Sequence, residues 1–252
     1  MVLDEHLTGI IIAFLLAGMV KGVSGLGLPT VVLGLLTLVM SPSKAAALII
    51  IPSVLTNIWQ AFAGGRLLPL AKRLRWMLLG ICAGTAAAAV FVSGHAPEWT
   101  SVALGLVMLI YGLIGVLAVR FRVPAQAEPW AAPLAGVCGG AITAATGSYF
   151  LPTVPYLQAL DFSPDELIQA MGIAFMASIT SLGIVLYLQG ALSPSVAATS
   201  VVAMVPAFVG MYVGQQIRKR ISAEMFKRLF FLAVLLLGAH LTIDSLVKMR
   251  ML

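Results

Sequence analysis

Lys21 stands inside a long apolar run and is followed at once by Gly22-Val23-Ser24-Gly25-Leu26-Gly27-Leu28-Pro29-Thr30-Val31. An ammonium group in hydrocarbon is costly, so a lysine at membrane depth marks a functional site by default. Asp4, Glu5, Asp161, Asp165, Glu166 and Asp244 all fall near the ends of apolar segments, where none is placed to neutralise it at depth. Half a chain later the pattern returns as Ala144-Ala145-Thr146-Gly147-Ser148-Tyr149-Phe150-Leu151-Pro152-Thr153-Val154, with Ala144 in the place of the lysine. Each copy interrupts an apolar run with small residues and restarts it with Leu-Pro-Thr-Val. Gly22, Gly25 and Gly27 let the chain turn and let another backbone approach. Pro29 and Pro152 suit the first turn of a new helix, where a missing N–H costs nothing. A helix start offers unpaired N–H groups and a partial positive charge. With the hydroxyls of Ser24, Thr30, Thr146, Ser148 and Thr153 and the cation of Lys21, the expected chemistry is the binding of a small anion. The competing structural role for Lys21 is to cap the last carbonyls of its helix or to snorkel to the interface.

Other polar residues lie within apolar segments. Asn57 and Gln60 follow the first break, and Thr180, with Ser178 and Ser181, follows the second; Asn57 aligns with Thr180. Helix-packing hydrogen bonds compete with site lining as their role. Gly80, Gly84 and Gly210 are expected to permit close helix contact, and Pro52 and Pro206 to kink their helices. Cys82 and Cys138 read as packing residues buried in helices, without a disulfide or metal role. Gly22-Val23-Ser24-Gly25 has the form of a serine-nucleophile motif, but such a serine needs a base within reach. Of His6, His95 and His240, only His240 falls within a span, and nothing in the sequence places it beside Ser24. An intramembrane serine protease is therefore a minor reading. No motif for a cofactor or a metal is present.

The elements that must position these residues are membrane helices. Hydrophobic residues make up 61% of the 252-residue chain and charged residues 10%, against about 25% charged in a soluble domain. The mean hydropathy is +1.06. A span needs about 20 apolar residues, and 43–63, 73–93, 99–119, 165–187, 195–217 and 225–246 qualify. Two further regions, 8–40 and 131–160, contain the breaks. Each is expected to form a broken helix or a hairpin of two half-helices, with halves of about 13–15 residues. The acidic start, Met1 to His6, argues against a cleavable signal peptide.

Charge favours the hairpin. Eleven of the 15 Lys and Arg residues fall in three stretches: Arg66, Lys72, Arg73 and Arg75; Arg120 and Arg122; and Arg218, Lys219, Arg220, Lys227 and Arg228. The positive-inside rule places all three in the cytoplasm. That is possible only if 131–160 enters and leaves on one side. The same rule accounts for the net charge of +6 without nucleic acid as a partner. Equivalent loops of the two halves carry opposite charge bias, as inverted repeats would. Ser41-Pro42-Ser43 against Ser163-Pro164-Asp165, Leu68-Pro69 against Ser193-Pro194, and Gly112 against Gly238 echo the duplication. The expected architecture is one all-α polytopic membrane domain over 1–252. It comprises two inverted-topology repeats, 1–122 and 130–250, each a broken or re-entrant helix pair followed by three transmembrane helices.

This layout, with Lys21-Gly22-Val23-Ser24-Gly25-Leu26-Gly27-Leu28-Pro29 and with Gly136-Val137-Cys138-Gly139-Gly140 leading into Thr146-Gly147-Ser148, resembles the sulfite exporter TauE/SafE family, also called the toluene-sulfonate uptake permease family. The resemblance covers nearly the whole chain. It implies a multi-pass permease of the bacterial inner membrane for small organic or sulfur-containing anions such as sulfite, sulfonates or sulfoacetate. Its partners would be the anion and the lipid bilayer. The expected mechanism is alternating access, with substrate held by Lys21, Gly22, Ser24, Gly25, Gly27, Pro29, Thr30, Asn57, Gln60, Thr146, Gly147, Ser148, Tyr149, Pro152, Thr153 and Thr180. An anion channel is the alternative, distinguished by unitary currents in place of saturable turnover. A purely structural subunit would leave the duplicated breaks without a purpose.

Overall fold

Three helix starts obey one rule: a serine followed by a proline. Ser41, Ser163 and Ser193 precede Pro42, Pro164 and Pro194, which open helices Pro42–Phe62, Pro164–Leu188 and Pro194–Arg218. Proline loses nothing at this position, and the serine can cap the first free N–H groups. At Ser163 the cap is reciprocal: its hydroxyl accepts from the Glu166 N–H at 3.4 Å, and the Glu166 carboxylate accepts from the Ser163 N–H at 3.0 Å. At Ser193 the hydroxyl accepts from the Val196 N–H at 3.4 Å.

The computed structural model describes residues 7–24, 28–62, 65–91, 99–119, 122–218 and 223–251. Among the described residues all regular structure is helical. In chain order the helices are α1 Leu7–Ser24, α2 Leu28–Leu36, α3 Pro42–Phe62, α4 Leu67–Phe91, α5 Trp99–Val116, α6 Glu128–Thr146, α7 Thr153–Gln158, α8 Pro164–Leu188, α9 Pro194–Arg218 and α10 Ala223–Met251. Six are long and apolar enough to cross a bilayer, namely α3, α4, α5, α8, α9 and α10. They coincide with the six spans expected from hydropathy. Large apolar residues such as Leu79, Val90, Leu106, Ile184, Val205 and Val209 face outward, as lipid contact requires. Trp99 and Trp130, at the starts of α5 and α6, are also exposed, which suits the membrane interface.

The chain divides into two compact units. Met1–Pro52, Ala96–Val119 and Ala191–Leu252 form the first; Ser53–His95 and Arg120–Gly190 form the second. Each unit therefore takes helices from both halves of the sequence, and α3 belongs to both.

Each unit is closed by glycines four residues apart. In the first, Gly18 and Gly22 on α1 meet Gly210 and Gly214 on α9. A Cβ placed on Gly22 would lie 2.2 Å from the Met211 carbonyl oxygen, and one on Gly214 2.2 Å from that of Met19. In the second unit, Gly80 and Gly84 on α4 meet Gly136 and Gly140 on α6, and a Cβ on Gly84 or Gly136 would lie 2.2 Å from the carbonyl oxygen of Val137 or Met77. Without side chains between them the two backbones touch, which is the favoured way to gain packing energy where no hydrophobic effect acts between helices. The expectation for Gly80, Gly84 and Gly210 holds. Gly22 belongs with them: it lies inside α1 and is not a turn residue.

The broken regions differ from the expected pair of equal halves. The arms are 18 and 9 residues in the first, 19 and 6 in the second. The first arm runs on past Gly22 because that glycine is a contact surface and not a break. In the second unit the hairpin is explicit. α6 starts at Glu128 and rises about 28 Å at 1.5 Å per residue. Gly147 then adopts a left-handed conformation, φ +73°, and its N–H donates to the Thr143 carbonyl at 2.8 Å, ending the helix as glycine commonly does. The chain returns through the irregular stretch 148–152 and α7. The Ala159 carbonyl accepts from the Val123 N–H at 3.0 Å, and Asp161 lies 3.6 Å from Arg122. Arg73 pairs with Glu128 and covers the Phe162 ring at 4.6 Å, and Arg66 pairs with Glu166. The segment therefore leaves and re-enters the same end of the second unit.

Candidate substrate site

The second half of α3 carries Ser53, Thr56, Asn57 and Gln60 at spacings of three, four and seven residues. This spacing puts all four on one helix face. They are buried, whereas Leu55, Ile58 and Trp59 of the same turns are exposed. A helix in lipid that turns its polar stripe inward needs partners for it. Tyr149 supplies one. Its hydroxyl donates to the Ser53 hydroxyl at 3.0 Å and lies within hydrogen-bonding reach of the Asn57 side chain. The Tyr149 ring is 1% exposed and meets Phe175 on α8 edge-on, 5.2 Å between centroids.

Gln60 has a different use. Its amide donates to the Ile168 carbonyl at 2.9 Å, and Gln169 on α8 returns the contact by donating to the Ala61 carbonyl at 2.7 Å. Gln169 also accepts from the Arg66 N–H at 3.1 Å. The two glutamines clasp the end of α3 to the start of α8, and Gly172 lets the backbones close on each other there.

Around the second break, Thr146 donates to the Ile142 carbonyl at 2.8 Å and accepts from the Ser148 N–H at 3.1 Å. Gly147 makes the turn. Pro152, joined to Leu151 by a cis peptide, precedes α7. The hydroxyls of Ser148 and Thr153 are fully buried and make no hydrogen bond to the protein. Gly139 faces Thr153: a Cβ there would lie 2.9 Å from the Thr153 hydroxyl oxygen, so this glycine keeps the space beside it open. α7 has fewer than two turns, too few to gather much of a helix dipole. Hydroxyl donors, not a helix start, are the chemistry this break offers.

The first break lies in the first unit. Lys21 is half-buried in the last turn of α1, where a cation complements the carbonyl end of a helix. Gly22 faces α9. Pro29 and Thr30 occupy the first turn of α2 and are buried. Gly25, Gly27 and the Ser24 side chain lie outside the described residues.

Thr180 is exposed on α8, while its neighbour Ser178 is buried and donates to the Ala174 carbonyl at 3.1 Å. His240, the base considered for a serine nucleophile, is exposed on α10. Cys82 and Cys138 are exposed, not buried as expected. In a lipid-facing bundle the outside is as apolar as the core, so an apolar neighbourhood does not place a thiol inside. Ser53, Thr56, Gln169 and Phe175 are additions from the structure; the i, i+3, i+4, i+7 spacing with Asn57 and Gln60 was the available signal for the first two.

Residues 10–241 match the family model described as Sulfite exporter TauE/SafE. No curated protein and no solved structure matches the chain.

Proposed function

Since the chain belongs to the sulfite exporter TauE/SafE family and is thus a multi-pass membrane transporter, we propose that it is a permease of the bacterial inner membrane for a small sulfur-containing or organic anion. The observation that carries this reading is the second break: Ser148 and Thr153 hold buried hydroxyls without protein partners, beside a polar stripe on α3. An unmatched buried hydroxyl costs about 1–3 kcal/mol. An oxyanion such as sulfite or a sulfonate accepts several hydrogen bonds and offsets that cost while bound. Lys21 supplies positive charge at the first break.

Transport proceeds by alternating access, the site opening first to one face of the membrane and then to the other. The two sequence halves, 1–122 and 130–250, are read as inverted repeats, which gives the protein two related ways of opening. The membrane potential contributes about 2.3 kcal/mol per charge per 100 mV. Being negative inside, it drives an anion outward without a coupled ion, so export or exchange is the expected direction.

Uptake of labelled sulfite, sulfoacetate and taurine into proteoliposomes, with the potential clamped at each sign, tests the reading. Saturable flux of at least one sulfur oxyanion is expected, reversing with the potential and lowered about tenfold in Lys21→Ala, as loss of a charged contact of roughly 1.5–3 kcal/mol requires. Absence of flux for all three anions would end the proposal. Unchanged flux in Lys21→Ala would assign that lysine to capping α1.

A further inference from the structure

The chain passes from the first unit to the second inside α3, between Pro52 and Ser53. Proline has no N–H, so the carbonyl four residues earlier, that of Leu48, loses its helical donor. Leu48 is fully buried, and a buried carbonyl must be matched. The match comes from α9: the buried hydroxyl of Ser200 donates to the Leu48 carbonyl at 2.7 Å, across 152 residues of sequence. A helical serine more simply bonds the carbonyl of its own preceding turn, as Ser178 does. Ser200 instead serves the gap that Pro52 opens. On the other side of the proline, the next residue, Ser53, accepts from the Tyr149 hydroxyl. The two halves of α3 are thus fastened to different elements, the first to α9 in its unit and the second to the break in its own.

We propose that Pro52 is a hinge in α3, held by the Ser200–Leu48 hydrogen bond, that carries movement of the second break into the first unit during transport. The inference rests on the transport reading above. When the break shifts around a bound anion, Tyr149 pulls on Ser53, and the helix bends where its own ladder is missing a rung. Ser200 keeps the freed carbonyl matched and sets how readily the bend occurs.

Pro52→Ala restores an N–H to the Leu48 carbonyl and makes α3 continuous. In nanodiscs, hydrogen exchange of amides 53–56 is expected to slow about tenfold in this variant, since local opening sets the exchange rate. Sulfite affinity should stay within about twofold while sulfite counterflow falls at least tenfold, a change in a conformational step rather than in binding. Ser200→Ala should speed exchange over the same amides, and Ser200→Thr should restore it. In the Pro52→Ala background, Ser200→Ala should change nothing, because the restored backbone N–H already serves the carbonyl; a merely structural serine would still cost stability there. Wild-type exchange or wild-type counterflow in Pro52→Ala would overturn the hinge. If the unaltered protein carries none of sulfite, sulfoacetate and taurine, the transport reading has failed, and the exchange result alone then decides whether α3 bends at Pro52; if it carries one of the others, affinity and counterflow are read with that anion.

Discussion

Ser148 and Thr153 each bury a hydroxyl that the protein leaves without a partner, and this separates binding from stability at those positions. Removing a polar group that has no partner costs the fold nothing and can stabilise it. Ser148→Ala and Thr153→Val should therefore melt at or above the wild-type temperature, while the KM for the transported anion rises roughly tenfold for each lost hydrogen bond to a charged group. Thermal melting and uptake kinetics on the same preparations check this; a raised melting temperature with unchanged KM would assign both hydroxyls to packing. The residues around them were unevenly legible. Asn57 and Gln60 stand out because amides are rare in apolar runs. Ser53 and Thr56 do not, because short hydroxyls often bond their own helix, as Thr56 does to the Ser53 carbonyl at 3.3 Å. Tyr149 stands 96 residues from Ser53, and no local pattern links them. Gln60, expected near substrate, spends its amide donor on α8.

Helices were legible where hydropathy and capping agree. The six spans, and the starts at Pro42, Pro164 and Pro194, follow from apolar length and from serine before proline. The arms of the broken regions did not follow, because a glycine in an apolar run has two meanings. It can end a helix, as Gly147 does, or bare a helix face, as Gly18, Gly22, Gly136 and Gly140 do. Four-residue spacing is the sign of the second meaning. The difference can be measured. Gly84→Val and Gly136→Val each drive a side chain into a neighbouring backbone, and overpacking of this kind costs about 1–3 kcal/mol or more. At about 2–4 °C per kcal/mol for a chain of this size, each should lower the melting temperature by roughly 2–12 °C. Gly9, with nothing within 4 Å of its added Cβ, gives the control: Gly9→Ala should leave melting unchanged or raise it. Equal effects at all three positions would show that the close contacts in the second unit are not where its stability resides.

On the scale of the molecule, composition and charge led to a hairpin at 131–160, and the return of Ala159 to Val123 shows it. What composition could not reveal is which helix closes on which. Glycine faces are interchangeable in sequence, so only the structure pairs α1 with α9 and α4 with α6. That pairing constrains how the protein is made. The bare face of α1 emerges from the ribosome roughly 190 residues before its partner on α9, a wait on the order of 10–40 s at 5–20 residues per second. Through that interval the nascent chain exposes an adhesive stripe in the bilayer, where only lipid or a transient neighbour covers it. It also means that the protein need not be continuous to assemble. Fragments 1–122 and 123–252, co-expressed as separate polypeptides, should find each other and copurify, whereas either alone should be degraded; a first fragment that accumulates stably without its mate would show that the cross-half seams are dispensable during biogenesis.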